Sequence, residues 1–582
     1  MTTQGNSIIA NFIWQVADDI LRDIYVKGKY RDVILPMTVI TRLDVELEET
    51  KENTLSEYNK QKDRLHNIGP ILEKATGYSF YNTSPFTLRT LLKDPSNIKT
   101  NFKQYLNGFS ANIQDILEKF EFANQVEKLE KSEILFMVIQ KFVDASLDLS
   151  PKNLSNHDMG YVFEELIRKF NQENNEEAGE HFTPREVITL MTNLLFLPVK
   201  NDIKNLPISI YDPCVGSGGM LSISKEFIRS TESNIGSSAD IFTFGQEIND
   251  ETYALCKADM LLKGERDNKV AYGSTLSRDG FPNEKFDFIL TNPPYGKSWK
   301  TDQDKLAIGG KKKEILDSRF TVGTPRINDG QLLFVLHMIS KMKHDTKLGT
   351  RIASVHNGSA LFTGDAGSGE SDIRKYIIEN DYLEAIIALP KELFYNTGIG
   401  TYIWVLTNRK PAKKKGKIQL IDATGEEFYS RMTKSLGKKR SELRTEHITK
   451  IYNLFDDFTD SEYSKIFDNA DFGYTQIIVD RPKRNSKGEV ELKGKKPVPD
   501  ADLRDKENIP LKGNIEEYFA KEVLPFAPDA YYSMDTAKIG YEINFNKYFY
   551  KYIAPRSLEE IAKDILALEA ETDGVLKDVI KK

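Results

Sequence analysis

Ile208-Ser209-Ile210-Tyr211-Asp212-Pro213-Cys214-Val215-Gly216-Ser217-Gly218-Gly219-Met220-Leu221 is the stretch on which the fold turns. It opens as a short apolar strand, crosses a glycine-rich turn and enters a helix. Glycines let a backbone approach a bound ligand closely, and a helix N-terminus offers free N–H groups. A lone glycine-rich turn is equally an ordinary structural device, so its neighbours must decide. Downstream, Ile241-Phe242-Thr243-Phe244-Gly245-Gln246-Glu247 reads as a second strand ending in an acid. In nucleotide-binding α/β folds an acid at that place takes the ribose hydroxyls, usually about 20 residues on; here the spacing is nearer 30. The polar run from Ser230 to Asp240 accounts for the excess as an enlarged loop. A solvated loop acid is the alternative reading of Glu247.

Further on, Phe286-Asp287-Phe288-Ile289-Leu290 reads as a buried strand leading to Asn292-Pro293-Pro294-Tyr295. Two prolines fix the backbone, so Asn292 and the Pro293 carbonyl are held in one geometry. An exocyclic amine on a planar ring is a poor nucleophile, because its lone pair is delocalised into the ring. Two fixed acceptors orient its protons and draw the nitrogen towards sp³ geometry. The aromatic ring that follows can stack on a planar substrate. Such a turn also occurs in ordinary loops. Upstream, Gly179-Glu180-His181-Phe182-Thr183-Pro184-Arg185 reads as a helix start, with Thr183 as N-cap and Glu186 in the first turn. A capped helix needs no ligand.

The order of these pieces resembles the gamma arrangement of S-adenosylmethionine-dependent amino methyltransferases. More narrowly, the chain is similar to the modification (M) subunit of type I restriction-modification systems, in the N6-adenine DNA methyltransferase family. The likeness includes Phe12-Ile13-Trp14-Gln15, Leu35-Pro36-Met37-Thr38, Tyr161-Val162-Phe163-Glu164, Asp329-Gly330-Gln331, Asn357 through Gly364 and Leu389-Pro390 through Ile399. It implies transfer of a methyl group from S-adenosyl-L-methionine to a flipped adenine, with Asn292, Pro293, Pro294 and Tyr295 catalytic. It assigns the cofactor to Glu180, His181, Phe182, Thr183, Pro184, Arg185, Asp212, Gly216, Ser217, Gly218, Gly219 and Glu247. It implies DNA as substrate and a specificity subunit as partner, with two copies of this chain around one such subunit, and leaves room for a restriction subunit. Ser274, in Gly273-Ser274-Thr275-Leu276, departs from the acid or amide of many relatives. Cytosine-N4 and protein-glutamine methyltransferases use related turns, and a non-catalytic scaffold of the same fold is the third alternative.

Composition agrees with a multi-domain globular chain: 582 residues, 40% hydrophobic and 29% charged. The two cysteines, Cys214 and Cys256, form neither a disulfide framework nor a metal-ligand pattern, which points to a reducing cytoplasm. Cys214 sits inside the glycine turn and reads as a small apolar filler, not as the nucleophile of a cytosine-C5 enzyme. The seven histidines show no metal-binding spacing, and no apolar run spans a bilayer. Gly296-Lys297-Ser298 lacks the first glycine of a phosphate-binding loop, since that place holds Thr291. The net charge of −7 argues against a stand-alone DNA binder. Basic residues are local: Lys297, Lys300, Lys305 and Lys311 to Lys313 beside the Pro-Pro turn; Arg409 to Lys417, read as solvated loop charge; and Lys434 to Arg440.

The chain divides into a helical N-terminal domain (1–150), a methyltransferase domain (151–410) and a C-terminal extension (411–582). Ile13, Val16 and Ile20, then Leu106, Phe109, Ile113 and Ile116, fall at helix spacing. Alternating strands and helices from 151 to 410 predict an α/β, Rossmann-like doubly wound sheet. Ala385 to Leu389 and Thr401 to Leu406 are joined too closely for a crossover helix. They are expected as an antiparallel pair at the sheet edge. Lys483 to Asp502 reads as an exposed linker or hairpin. Ser557 to Ile580, carrying Ile561, Ile565, Leu568, Val575 and Ile580, reads as an amphipathic helix that covers a core or packs on a partner.

Overall fold

In the computed structural model the described residues are 3–173, 183–233, 235–264, 268–308, 314–395, 397–436, 438–550 and 557–568. They form two compact units, 1–543 and 544–582.

The first unit is built on one nine-stranded sheet. Its strands are β1 (Ile208–Asp212), β2 (Ile241–Glu247), β3 (Asn268–Tyr272), β4 (Phe288–Thr291), β5 (Arg351–Asn357), β6 (Leu383–Ala388), β7 (Thr401–Thr407), β8 (Lys417–Asp422) and β9 (Ser464–Asp468). Across the sheet they run β9-β8-β6-β7-β5-β4-β1-β2-β3. The pairs β3–β2, β2–β1, β1–β4, β4–β5 and β6–β8 are parallel. The pairs β5–β7, β7–β6 and β8–β9 are antiparallel. All four residues of β4 are buried, as expected of a strand covered by helices on both faces. Helices Arg185–Phe196 and Gly219–Arg229 supply one cover: Phe196 packs edge-on against Phe288 with ring centroids 4.7 Å apart. On the other face Tyr211 stacks on Phe286 at 4.4 Å.

β6 and β7 are the expected antiparallel pair, but they are not the edge. β7 inserts between β5 and β6, and the sheet continues through β8 to an antiparallel edge strand, β9. These last strands carry little sequence signal, because Lys417, Gln419 and Lys465 break the apolar pattern. The run Arg409 to Lys417 is not solvated loop charge throughout. Lys410 and Lys414 are buried, pairing with Asp381 at 2.6 Å and Glu384 at 3.0 Å. Buried cations persist only where such partners offset their desolvation.

The N-terminal helices form a separate core around Ile13, Val16, Val33, Ile40, Phe102, Ile113 and Ile139. Helix Asn156–Glu173 joins that core through Phe163, Leu166 and Phe170, as does helix Asp250–Leu262 through Ala254, Leu255, Ala258 and Leu262. The second of these helices follows β2, so the helical layer is seated directly on the sheet domain. The periodic set from Leu106 to Ile116 spans two helices, not one. Helices Ile98–Asn107 and Ala111–Lys119 are broken at Gly108, where a Cβ would lie 2.6 Å from the Ser84 nitrogen.

Past β9, strand Gly473–Asp480 pairs antiparallel with Asp505–Pro510, Tyr531–Tyr532 and Lys538–Tyr541. The Lys483 to Asp502 segment is an exposed hairpin, Leu492–Lys493 against Lys496–Pro497. In the second unit, 558–568 is helical, and Leu558, Ile565, Leu566 and Leu568 are exposed. Val575 and Ile580 lie outside the described residues. No helix among the described residues is long and apolar enough to cross a membrane.

Candidate functional site

A cavity of about 420 Å³ opens at the carboxyl ends of β1, β2 and β4. Ligands of open α/β sheets bind at this edge, because loops there converge and helix N-termini face them. Its walls bring together Thr183, Asp212, Gly216, Ser217, Gly219, Glu247 and all four of Asn292, Pro293, Pro294 and Tyr295. Pro184, Arg185 and Gly218 are not on its walls. Glu180, His181 and Phe182 lie outside the described residues.

The glycine turn needs its glycines. Gly216 and Gly218 have φ of 54° and 90°, in the left-handed region where side chains are strained. Glu247 then fixes the turn to β2. Its Oε2 accepts from the Gly216 nitrogen at 3.0 Å, and its Oε1 accepts from the nitrogens of Ile248 and Asn249, each at 2.9 Å. A carboxylate oxygen has further lone pairs, so these bonds leave acceptor capacity for a diol.

Asp212, at the end of β1, is 1% exposed. Its Oδ1 accepts from the Cys214 nitrogen at 2.9 Å and from the Thr291 hydroxyl at 2.7 Å, which joins β1 to β4 just before the turn at Asn292. Burial pushes its carboxyl up to about 7, against the pull of those two donors. Burial also holds the Cys214 thiol well above its ordinary range, so it stays protonated and is no nucleophile.

Thr183 does not cap the helix as expected. Pro184 occupies the N-cap position without a side-chain cap, and the Thr183 hydroxyl instead accepts from Asn292 Nδ2 at 3.1 Å. Asn292 Oδ1 is buried and has no hydrogen-bond partner. An orphaned buried acceptor costs about 1–3 kcal/mol, and such groups persist where something arrives to satisfy them. Tyr295 is half-buried, its ring against the core, and burial pushes its phenol up to about 12. The turn is braced from below: the Gly296 nitrogen donates to Asp329 Oδ1 at 3.1 Å, and the Gly330 nitrogen to the Lys297 carbonyl at 3.2 Å. Asp329 Oδ2 is held by Gln331 Nε2 at 2.7 Å and by the Ser359 hydroxyl at 3.0 Å.

Sequence reasoning missed a second brace. Arg319 donates to the carbonyls of Thr275 and Leu276 at 2.8 and 2.6 Å, fixing the wall beside Ser274. It also donates to His337 Nδ1 at 2.9 Å. The proton of that neutral ring therefore sits on Nε2, which donates to the Tyr211 hydroxyl at 3.0 Å. Burial, then the Arg319 charge, push this imidazole down to about 3. Partners so far apart in the chain leave no spacing signal.

The donor set suits a nucleoside-bearing methyl donor. A carboxylate closes the second strand, a side-chain-poor turn leaves room beside it, and Asn292, whose amide oxygen is unpartnered, is among the lining residues.

The model of the family described as N-6 DNA Methylase matches residues 154–476, and that of the HsdM N-terminal domain matches residues 9–142. The type I restriction enzyme MjaIX methylase subunit of Methanocaldococcus jannaschii is 26% identical over 485 residues, covering 78% of this chain and 77% of that one. The HindI methylase subunit of Haemophilus influenzae is 31% identical over 269 residues, covering 46% and 54%. Among solved structures, the type I restriction-modification methyltransferase subunit from Streptococcus thermophilus superposes with a TM-score of 0.60 at 22% identity, covering 80% of this chain and 97% of that one. The chain belongs to the N-6 DNA methylases, as a type I methylase subunit: an adenine-specific DNA methyltransferase that uses S-adenosylmethionine.

Proposed function

We propose that Asn292, Pro293, Pro294 and Tyr295 carry the reaction on an adenine flipped out of the duplex, as base-modifying enzymes require. The observation that carries this reading is the buried, partnerless Asn292 Oδ1 on the cavity wall. Together with the Pro293 carbonyl it accepts the two protons of the adenine amino group. Those bonds localise the nitrogen lone pair and aim it across the cavity. Tyr295 stacks on the base with its phenol neutral, and Pro294 keeps the turn rigid. S-adenosylmethionine supplies an electrophilic methyl group on a sulfonium. Glu247 takes its ribose, and Asp212, Gly216 through Gly219 and the Glu180 to Arg185 segment take the rest. Orientation then contributes much of the rate, since no covalent intermediate or metal is required.

The chain's work is divided by segment: helical 1–150, catalytic from 151 through the last strand of the sheet at Asp468, and the rest of the C-terminal extension for assembly. Its partners are DNA and a specificity subunit, with two copies of this chain to each specificity subunit and room left for a restriction subunit in the same complex. Support comes from the relatives, which are named as subunits of restriction enzymes, and from the exposed apolar side chains of 558–568. Two free cysteines and a DNA substrate fit the cytoplasm.

The test supplies labelled S-adenosylmethionine and cognate DNA to the assembled protein and assays the digested DNA for N6-methyladenine. Asn292→Ala should abolish transfer while leaving cofactor affinity nearly intact. A variant that methylates like wild type overturns the assignment.

A further inference from the structure

The third basic run has no place in the chemistry above, yet the topology delivers it to the same edge. β4 and β5 run parallel, β7 runs against them, β6 against β7, and β8 parallel to β6. The end of β8 therefore emerges at the same edge of the sheet as Asn292, with β6, β7 and β5 between them. From there the chain forms a hairpin, Ser430–Leu436 against Lys439–Glu442. Its root is fastened to the site. Lys439 is buried and pairs with Glu186, three residues beyond Thr183, while its ammonium also donates to the Leu393 carbonyl at 3.2 Å.

Between Tyr429 and Arg444 the sequence has six cations and one acid, in a chain whose net charge is −7. Arg431, Lys438, Arg440 and Arg444 are exposed. Glu392 pairs with Arg431 and lies 3.9 Å from Arg440, and Glu442 accepts from Arg444 at 3.0 Å. These two acids leave the hairpin with a cationic surplus. On another side of the cavity, exposed Lys297, Lys300 and Lys305 follow the catalytic turn. Two basic elements thus lie at the edge of the sheet where the cavity opens.

We infer that the hairpin Ser430–Glu442 grips the DNA phosphate backbone beside the flipped adenine, with Lys438 and Arg440 as phosphate contacts. This rests on the methyltransferase reading above. Charge complementarity and continuity with the catalytic edge favour DNA as the occupant over a protein partner. Phosphate contacts release condensed counterions, so they register in the salt dependence of binding.

The experiment compares wild type with the double variant Lys438→Gln/Arg440→Gln, each assembled with the specificity subunit, on cognate duplex. The slope of log K against log salt should become shallower by about 2, roughly one for each cation removed, with weaker DNA binding at every salt concentration. Cofactor affinity by calorimetry and assembly by size exclusion should be unchanged, and Lys438→Arg/Arg440→Lys should restore the slope. An unchanged slope in a complex whose wild type methylates adenine overturns the inference alone. Loss of assembly overturns it by making the hairpin a protein interface. A wild-type complex that methylates no adenine removes the reading beneath it, and this inference with it.

Discussion

Asn292, on the cavity wall, donates its Nδ2 to the Thr183 hydroxyl at 3.1 Å, and its buried Oδ1 is left without a partner. An amide has two faces of similar shape and opposite hydrogen-bonding sense. Thr183 therefore fixes which way the Asn292 amide is turned, although the two residues are far apart in the chain.

Thr183→Val keeps the shape of the side chain and removes the acceptor. Methyl transfer at saturating DNA should fall by up to about tenfold, the value of one ordinary hydrogen bond. Thr183→Ser should recover most of it. A valine variant with the wild-type single-turnover rate would show that the amide needs no such guide.

Glu247→Ala removes a carboxylate that holds the glycine turn and that the proposed function assigns to the ribose. Calorimetry should show S-adenosylmethionine binding weakened by roughly 1.5–3 kcal/mol, the range for charged hydrogen bonds. Unchanged affinity would sink the assignment.

Tyr295 should act through its ring. Tyr295→Phe keeps much of the activity and Tyr295→Ala very little, since base stacking contributes about 1–3 kcal/mol. With the phenol pushed up to about 12, the pH–rate profile of wild type and Tyr295→Phe should coincide through neutral pH. Equal loss in both variants would point to the hydroxyl.

Asp212 supplies a pH signature. Burial pushes its carboxyl up to about 7 in the fold, against about 4 when unfolded. The fold thus favours the protonated form, whose stabilising contribution is complete below about 4 and is lost as pH rises to about 7. Asp212→Asn retains an acceptor for Thr291 and Cys214. Thermal melts across that window should show a flatter decline for the variant, and parallel curves would refute the shift.

Removing 557–582 should reduce assembly with the specificity subunit more than it reduces cofactor binding by the isolated chain. Size exclusion of co-expressed proteins and thermal melts separate the outcomes. A joint fall in melting temperature and cofactor affinity would mean that the helix completes the fold.

The strand–turn–helix of Ile208 to Leu221, the acid closing β2 and the turn at Asn292 are all legible in the sequence, because backbone geometry demands those residue types at those places. β8 and β9 are not, since their polar residues find partners only once the sheet exists. Lys410 and Lys414 read as solvent charge because Asp381 and Glu384 belong to another part of the chain. The Thr183 hydroxyl matches a helix cap equally well on paper; only the approach of Asn292 shows where it is used. Arg319 reaches the Thr275 carbonyl, and His337 the Tyr211 hydroxyl, across stretches of chain that leave no spacing signal.

The continuation of the sheet through β8 and β9 limits how the molecule can be dissected. A fragment ending near residue 410 would strip β6 of its neighbour and present a bare apolar edge to solvent, a template for aggregation. It would also remove Lys414 from Glu384, leaving that buried carboxylate with Arg351 at 2.7 Å but without the donor to its other oxygen. The smallest catalytic piece that folds should therefore extend past Asp468, and fragments cut earlier should collect in inclusion bodies.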